Sequence, residues 1–161
     1  MPTLPEAVFQ RRLNAEYSEL GKSGIRFTSD PSKMSYEIAL SVKAYQKTGG
    51  KITPRFDHKF RITINRSYPY AGGFDVVWQT PIFHPNIDDK TGKVCIHILN
   101  EWSGSQTLLS LVKGIEHMLK HPNVKSPLNV EAGEYFYFHP ELMGMKFTDI
   151  EKPTKPRVVM R

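Results

Sequence analysis

Cys95 is the only thiol in the chain, and polar residues able to assist it lie close by in sequence. Asn86 stands nine positions before it, Trp102 seven after it, and His84 and His97 fall on either side. A lone cysteine admits three chemistries. Between Val94 and Ile96 it can be a small buried hydrophobe. As a thiolate it can be a nucleophile, with His84 or His97 brought up by the fold as a base, although neither sits in a cysteine-protease context. With His97 and the pair His117 and His121, four apart on one helix face, it can be a metal ligand. That pair falls at a helix end, where the dipole favours cations, so capping or solvated histidines account for it and no metal site is expected.

The thiol needs a scaffold. From Ile82 to Trp102 a proline, a glycine and a polar run, Asp88-Asp89-Lys90-Thr91-Gly92-Lys93, rule out a continuous helix, while Ile82, Phe83, Ile87, Val94, Ile96, Ile98 and Leu99 argue against disorder. A packed loop longer than about 12 to 15 residues is usually functional. Before it, the period is two: Met34, Tyr36, Ile38, Leu40, Val42 and Ala44 alternate with polar or small residues, and so do Phe56, His58, Phe60, Ile62 and Ile64, then Phe74, Val76 and Trp78. With a short segment at 25–28 and a turn at Gly49-Gly50, this predicts a four-stranded antiparallel meander, since no crossover helix intervenes.

Helices flank the sheet in sequence. Phe9, Leu13, Tyr17 and Leu20 predict a helix over 3–21, with Thr3 and Glu6 as a capping box and Gly21 as its stop. Arg11, Ala15, Ser18 and Lys22 mark another face of it, either solvated or a basic docking surface. Thr107 caps a second helix striped by Leu108, Leu111, Val112, Ile115, Met118 and Leu119, which Pro122 ends at His121. Asn129 can cap a short aromatic helix over 130–138. The fold class is α+β: helix, four-stranded sheet, long active loop, two helices.

Length and composition set outer bounds. At 161 residues the chain fits one domain, and 39% hydrophobic and 11% aromatic residues suit a soluble globular protein. One cysteine excludes an internal disulfide and a Cys-rich zinc site, which fits a reducing, cytoplasmic setting. No basic-then-apolar leader and no run of 18 apolar residues is present, so no membrane partner is expected. The net charge of +6 is in part that of Lys152, Lys155, Arg157 and Arg161 in a basic, flexible tail at 141–161. Nucleic acid is not an expected partner: no interleaved aromatic and basic strand motif and no helix-turn-helix pattern occurs.

Taken together, His84-Pro85-Asn86, Cys95, Ile98-Leu99, Trp102, then Pro122-Asn123 and Ser126-Pro127-Leu128-Asn129, resemble the core of a ubiquitin-conjugating enzyme. Tyr68-Pro69-Tyr70 is similar to that family's tyrosine-proline turn, and Trp78-Gln79-Thr80 with Ile82-Phe83 to its lead-in. The resemblance covers about residues 6 to 138. It implies a catalytic core over 3–140, no cofactor, and a thioester between Cys95 and the C-terminal glycine of ubiquitin or a ubiquitin-like modifier, received from an activating enzyme and passed to a protein lysine. It further implies that Asn86 stabilises the oxyanion, that His84 and Pro85 shape the loop, and that Ser126 and His97 lie beside the incoming amine. Arg11 and Arg12 would meet the activating enzyme, and Tyr70, Trp102 and Ser103 a RING-type ligase. The sequence departs from the family in several ways. Gly72-Gly73 and Gly104 replace prolines and would loosen ligase-reading loops. One residue is added between Asn86 and Cys95, one is missing between Cys95 and Trp102, and the chain ends without the family's terminal helices. The resemblance is therefore to a divergent or minimal member, of prokaryotic or eukaryotic source.

Overall fold

The computed structural model describes residues 2–95 and 102–143. Helix α1 (Glu6–Lys22) leads into strands β1 (Arg26–Ser29), β2 (Ser35–Thr48), β3 (Lys51–Ile64) and β4 (Phe74–Trp78). After the loop come α2 (Leu108–Lys120), α3 (Val130–Phe138) and a 3₁₀ turn (Pro140–Met143). The strands pair antiparallel in the order β1-β2-β3-β4, the meander that the period-two runs predict. Tyr36, Ile38, Leu40, Val42 and Ala44 of β2 and His58, Phe60, Ile62 and Ile64 of β3 all point inward. They share one core with Phe9, Leu13 and Leu20 of α1 and the apolar stripe of α2, so both helices cover the same face of the sheet. His97 and residues 144–161, most of the basic tail, lie outside the described residues.

Three expectations change. Helix α1 begins at Glu6 with Pro5 as its N-cap and no side-chain cap bond, so the Thr3 capping box does not form. The Glu6 carboxylate turns instead to Gln10 and Arg66, at 3.0 and 3.2 Å. Gly21 is inside the helix; Ser23 closes it and the left-handed residue is Gly24. Phe56 continues the inward alternation yet is exposed, because a bulge sets Val42 and Lys43 against it between the Ser41–Asp57 and Ala44–Arg55 pairs. The caps of the later helices form as expected: Thr107 accepts from the Ser110 amide, Ser110 answers to the Thr107 amide, and Asn129 accepts from the Ala132 amide.

The buried stripe of α1 also holds a residue that its apolar pattern leaves out. It reads Phe9, Leu13, Glu16, Leu20, and Tyr17 lies at its edge, half-exposed against Phe27. The Glu16 carboxylate accepts from Arg12 Nε (2.8 Å), the Tyr68 hydroxyl (2.9 Å) and the Leu108 amide at the start of α2 (2.7 Å). Arg12 continues the network to the carbonyls of Gly104 and Gln106. One buried acid thus ties α1, the tyrosine-proline turn, the loop after Trp102 and α2.

Candidate active site

The loop from Ile82 to Cys95 is held mostly by backbone bonds. Phe83 donates its amide to Tyr45 of β2 (2.8 Å) and packs beneath α3 against Tyr135 and Phe136. His84 is buried with both ring nitrogens used. The Asn86 amide donates to Nδ1 (3.0 Å), so the proton sits on Nε2, which donates to the Met118 carbonyl of α2 (2.9 Å). Burial pushes its pKa down to about 4, with the Met118 bond working in the opposite direction. A neutral, doubly bonded imidazole shapes the loop and has no lone pair left for base catalysis.

Pro85 and Asn86 fasten the loop to the segment after α2. The Pro85 carbonyl accepts from the Leu128 and Asn129 amides, at 2.8 and 3.0 Å. The Asn86 side chain meets the backbone of Asn123 twice: Oδ1 accepts from its N–H (2.9 Å) and Nδ2 donates to its carbonyl (3.0 Å). Ser126 sits exposed between these two anchors. The Asn86 carbonyl in turn accepts the Cys95 amide (2.9 Å), so a single residue connects the thiol to the 123–129 loop.

Residues 88–92 fold back to deliver Cys95. Asp88 accepts from the Lys90 amide and the Thr91 hydroxyl, both at 3.0 Å, and these bonds, the amide's first, hold its carboxyl below the usual range. Gly92 has φ +76° and lies so close to β4 that a Cβ there would be 2.6 Å from the Trp78 carbonyl. Only glycine fits. Bridges Ile87–Val94 and Val77–Lys93 then fix both sides of the segment that ends in Cys95. The thiol is free and half-buried, and it lines a cleft of about 280 Å³ with Phe74, Trp102 and Leu128. His117 lies on α2 and His121 is its C-cap, their rings stacked at 4.2 Å, with His121 Nδ1 bonded to the His117 carbonyl.

The sequence model of the ubiquitin-conjugating enzyme family matches residues 13–147. The chain belongs to that family. It is 47% identical over 87 residues to Protein PEROXIN-4 of Arabidopsis thaliana, covering 53% of this chain and 55% of the relative. It is 39% identical over 84 residues to ubiquitin-conjugating enzyme E2 pex4 of Dictyostelium discoideum, covering 50% and 56%. These matches span about half the length of the relatives. Among solved structures, a ubiquitin-conjugating enzyme E2 domain of Toxoplasma gondii superposes with a TM-score of 0.66 at 24% identity, over 87% of this chain and 94% of that one, which shows the shared fold.

Within a ubiquitin-conjugating fold the remaining residues fall into two groups. Arg11 is exposed on α1, Ser103 is exposed and bonded to Ser105, and Tyr70 is half-buried. Arg12 and Trp102 face inward: the Arg12 guanidinium is spent on Glu16, Gly104 and Gln106, and the Trp102 indole donates to the Pro69 carbonyl (2.8 Å) beside a cis Tyr68–Pro69 bond. Gly73 is not a loosening substitution either. A Cβ there would lie 2.4 Å from the Tyr68 nitrogen, so the turn closes on itself more tightly than any side chain permits. Glu16 and Asn123 are the structural partners that motif spacing did not reveal. The acid at the centre of an apolar stripe is the signal that would have found the first.

Proposed function

We propose that the protein is a working ubiquitin-conjugating enzyme: Cys95 takes a ubiquitin or ubiquitin-like modifier from an activating enzyme as a thioester and passes it to a protein lysine. The observation that carries this reading is the thiol's placement. Cys95 ends a segment braced on both sides, and its side chain faces a cleft instead of the core. In the first step the Cys95 thiolate attacks the activating enzyme's thioester, a C–S bond forms at Cys95, and the other sulfur leaves with its electron pair. Exchange of one thioester for another is nearly balanced, whereas the final amide is strongly downhill, which sets the direction.

In the second step an amine adds to the carbonyl and the oxygen becomes an oxyanion. The Asn86 Nδ2 group has two hydrogens, of which Asn123 takes one, and the other serves the oxyanion. Ser126, exposed on the loop that Asn86 pins, stands on the acceptor's side. His84 and Pro85 hold the loop's shape, and His97 is assigned to the acceptor's side by resemblance. Arg11 offers a charge to the activating enzyme, with Arg12 bracing the helix behind it; Tyr70 and Ser103 form the surface for a RING-type ligase, supported by Trp102 beneath. A free thiol and a thioester both suit the cytoplasm.

A charging assay tests this directly: protein, activating enzyme, ATP and candidate modifiers, resolved with and without reducing agent. Wild type forms a thiol-sensitive adduct and Cys95→Ala forms none. Asn86→Ala still charges but discharges to lysine about 10²-fold more slowly. Charging of Cys95→Ala, or binding of a modifier without any adduct in the presence of a competent activating enzyme, overturns the reading in favour of a binding module on this fold.

A further inference from the structure

The segment that carries Cys95 has a second neighbour besides Asn86. Lys93 bridges Val77 of β4 in the antiparallel sense, and counting on from that bridge sets Val76 against Val94 and Asp75 against Cys95. Burial follows the same alternation. Val76 and Val94 are buried, Val77 and Lys93 are exposed, Asp75 is exposed and Cys95 is half-buried on that same side. The two chains part beyond the bridge, for Asp75, Val76, Lys93, Val94 and Cys95 together line the cleft described above. Opposed side chains of an antiparallel pair stand about 5 Å apart, and the opening of the cleft widens this into room for a third group.

Among the described residues, Asp75 is the only acid lining that cleft. Among the described residues it enters no ion pair and its side chain makes no hydrogen bond; Lys93, which lines the same cleft, is not within salt-bridge distance, and Arg61, set against Val77 on β3, pairs with Glu37 instead. An unpaired carboxylate on the thiol's side of the sheet attracts cations to that side. The acceptor is one: a lysine side chain arrives as an ammonium at neutral pH. We infer that Asp75 is an acceptor-binding residue, whose carboxylate receives the lysine ammonium across the cleft from the Cys95 thioester. This rests on Cys95 being the thioester nucleophile. It places the amine-selecting charge on β4, at a position outside every motif of the chain.

The step balances as follows. The bound ammonium releases one proton to solvent, and its nitrogen lone pair adds to the thioester carbonyl. The C–N bond forms and the C–S bond breaks, the electron pair leaving on Sγ. The second amine proton ends on that thiolate. Asp75 binds the cation and does not remove its proton, since the same attraction holds the proton on nitrogen. Its loss therefore appears in KM for lysine, while kcat is unchanged or rises.

The experiment compares pre-charged wild type, Asp75→Asn and Asp75→Glu in discharge to free lysine over a concentration series, and to hydroxylamine, an uncharged nucleophile. Asp75→Asn changes only a charge at an exposed strand position, so the fold is retained. The expected result is an approximately tenfold higher lysine KM for Asp75→Asn, an intermediate value for Asp75→Glu, and equal hydroxylamine rates for all three. The wild-type advantage on lysine shrinks at high salt. An unchanged lysine KM overturns the inference, as does an equal loss on hydroxylamine, which would mean a distorted cleft. Failure of Asp75→Asn alone to charge overturns it as well. Failure of wild type to charge removes the reading of Cys95 itself, and the inference with it.

Discussion

Replacing Glu16 should destabilise this protein more than any other change at a charged residue of α1. The carboxylate is 2% exposed and satisfies three donors, two of which have no alternative. The Tyr68 hydroxyl is buried, and burial together with the adjacent negative charge raises its pKa, so it remains a donor. The Leu108 amide is the first of a helix and has no intrahelical acceptor. In Glu16→Ala both are orphaned at about 1 to 3 kcal/mol each, whereas Arg12 keeps the Gly104 and Gln106 carbonyls; the expected loss is about 4 kcal/mol. Glu16→Gln preserves volume but has one oxygen for three donors. Its NH₂ then opposes the Leu108 N–H, at about 2 kcal/mol. Urea unfolding followed by tryptophan fluorescence measures both, because Trp102 donates to Pro69 beside the network. The midpoint should fall at constant m-value. Tyr68→Phe should cost less on the Glu16→Ala background than on wild type, the coupling being about 1 to 2 kcal/mol. A Glu16→Ala protein within 1 kcal/mol of wild type, or additive losses in the cycle, would refute the idea that this carboxylate organises the four elements, given the handful of kcal/mol a domain has in reserve.

Two further perturbations follow from the site. His84 is neutral in the fold, with a pKa near 4 against 6.5 when unfolded, so below pH 6.5 the unfolded chain binds a proton that the native one refuses. Stability is full above pH 6.5 and should fall toward pH 4 by about 1.4 kcal/mol per pH unit, roughly 3 kcal/mol in all, with His58, also lowered by burial, adding in the same direction; urea midpoints that stay level between pH 7 and 4.5 would contradict this. Gly92→Ala forces a side chain into φ +76° and against the Trp78 carbonyl. It should cost at least about 3 kcal/mol and slow thioester formation, since the Gly92 carbonyl accepts the Trp78 amide just before the Lys93 bridge; calorimetry and the charging assay read the two effects.

The strands were legible because a half-buried sheet imposes period two on the sequence, and β2 and β3 obey it for most of their length. The failure at Phe56 has a local cause, a bulge that a one-residue alternation cannot encode. Helix α2 was legible because Thr107 and Pro122 punctuate it. The start of α1 was not, because Thr3 and Glu6 have the spacing of a capping box while Arg66, sixty residues away in sequence, competes for the same carboxylate. Glu16 was hidden because an apolar stripe is completed from apolar residues, here Tyr17, one residue off the true face. The spacing of Cys95, Asn86 and Trp102 marks a site without saying which residue touches which. Asn86 facing Asn123 and Arg12 facing Gly104 are long-range contacts, and only tertiary packing produces them: the first from the active-site loop lying against the segment after α2, the second from α1 lying against the loop after Trp102.

Asn86 has more than one task in this fold, and that changes how its kinetics are to be read. Its side chain spans the Asn123 backbone, its amide fixes the His84 tautomer, and its carbonyl holds the Cys95 amide. Substitution to alanine removes only the first of these, because the other two are backbone groups. The thiol therefore stays in place and charging survives, while the 123–129 loop loses two of its ties and keeps those at Pro85. A slow discharge then contains two parts: a missing oxyanion donor, and a Ser126 loop that has shifted relative to the acceptor. The parts separate by nucleophile. The oxyanion forms whichever amine attacks, so its loss slows hydroxylamine and lysine equally. A displaced acceptor side penalises the bulkier lysine and leaves the small nucleophile alone. A uniform loss assigns Asn86 to the transition state, and a loss confined to lysine assigns it to the scaffold.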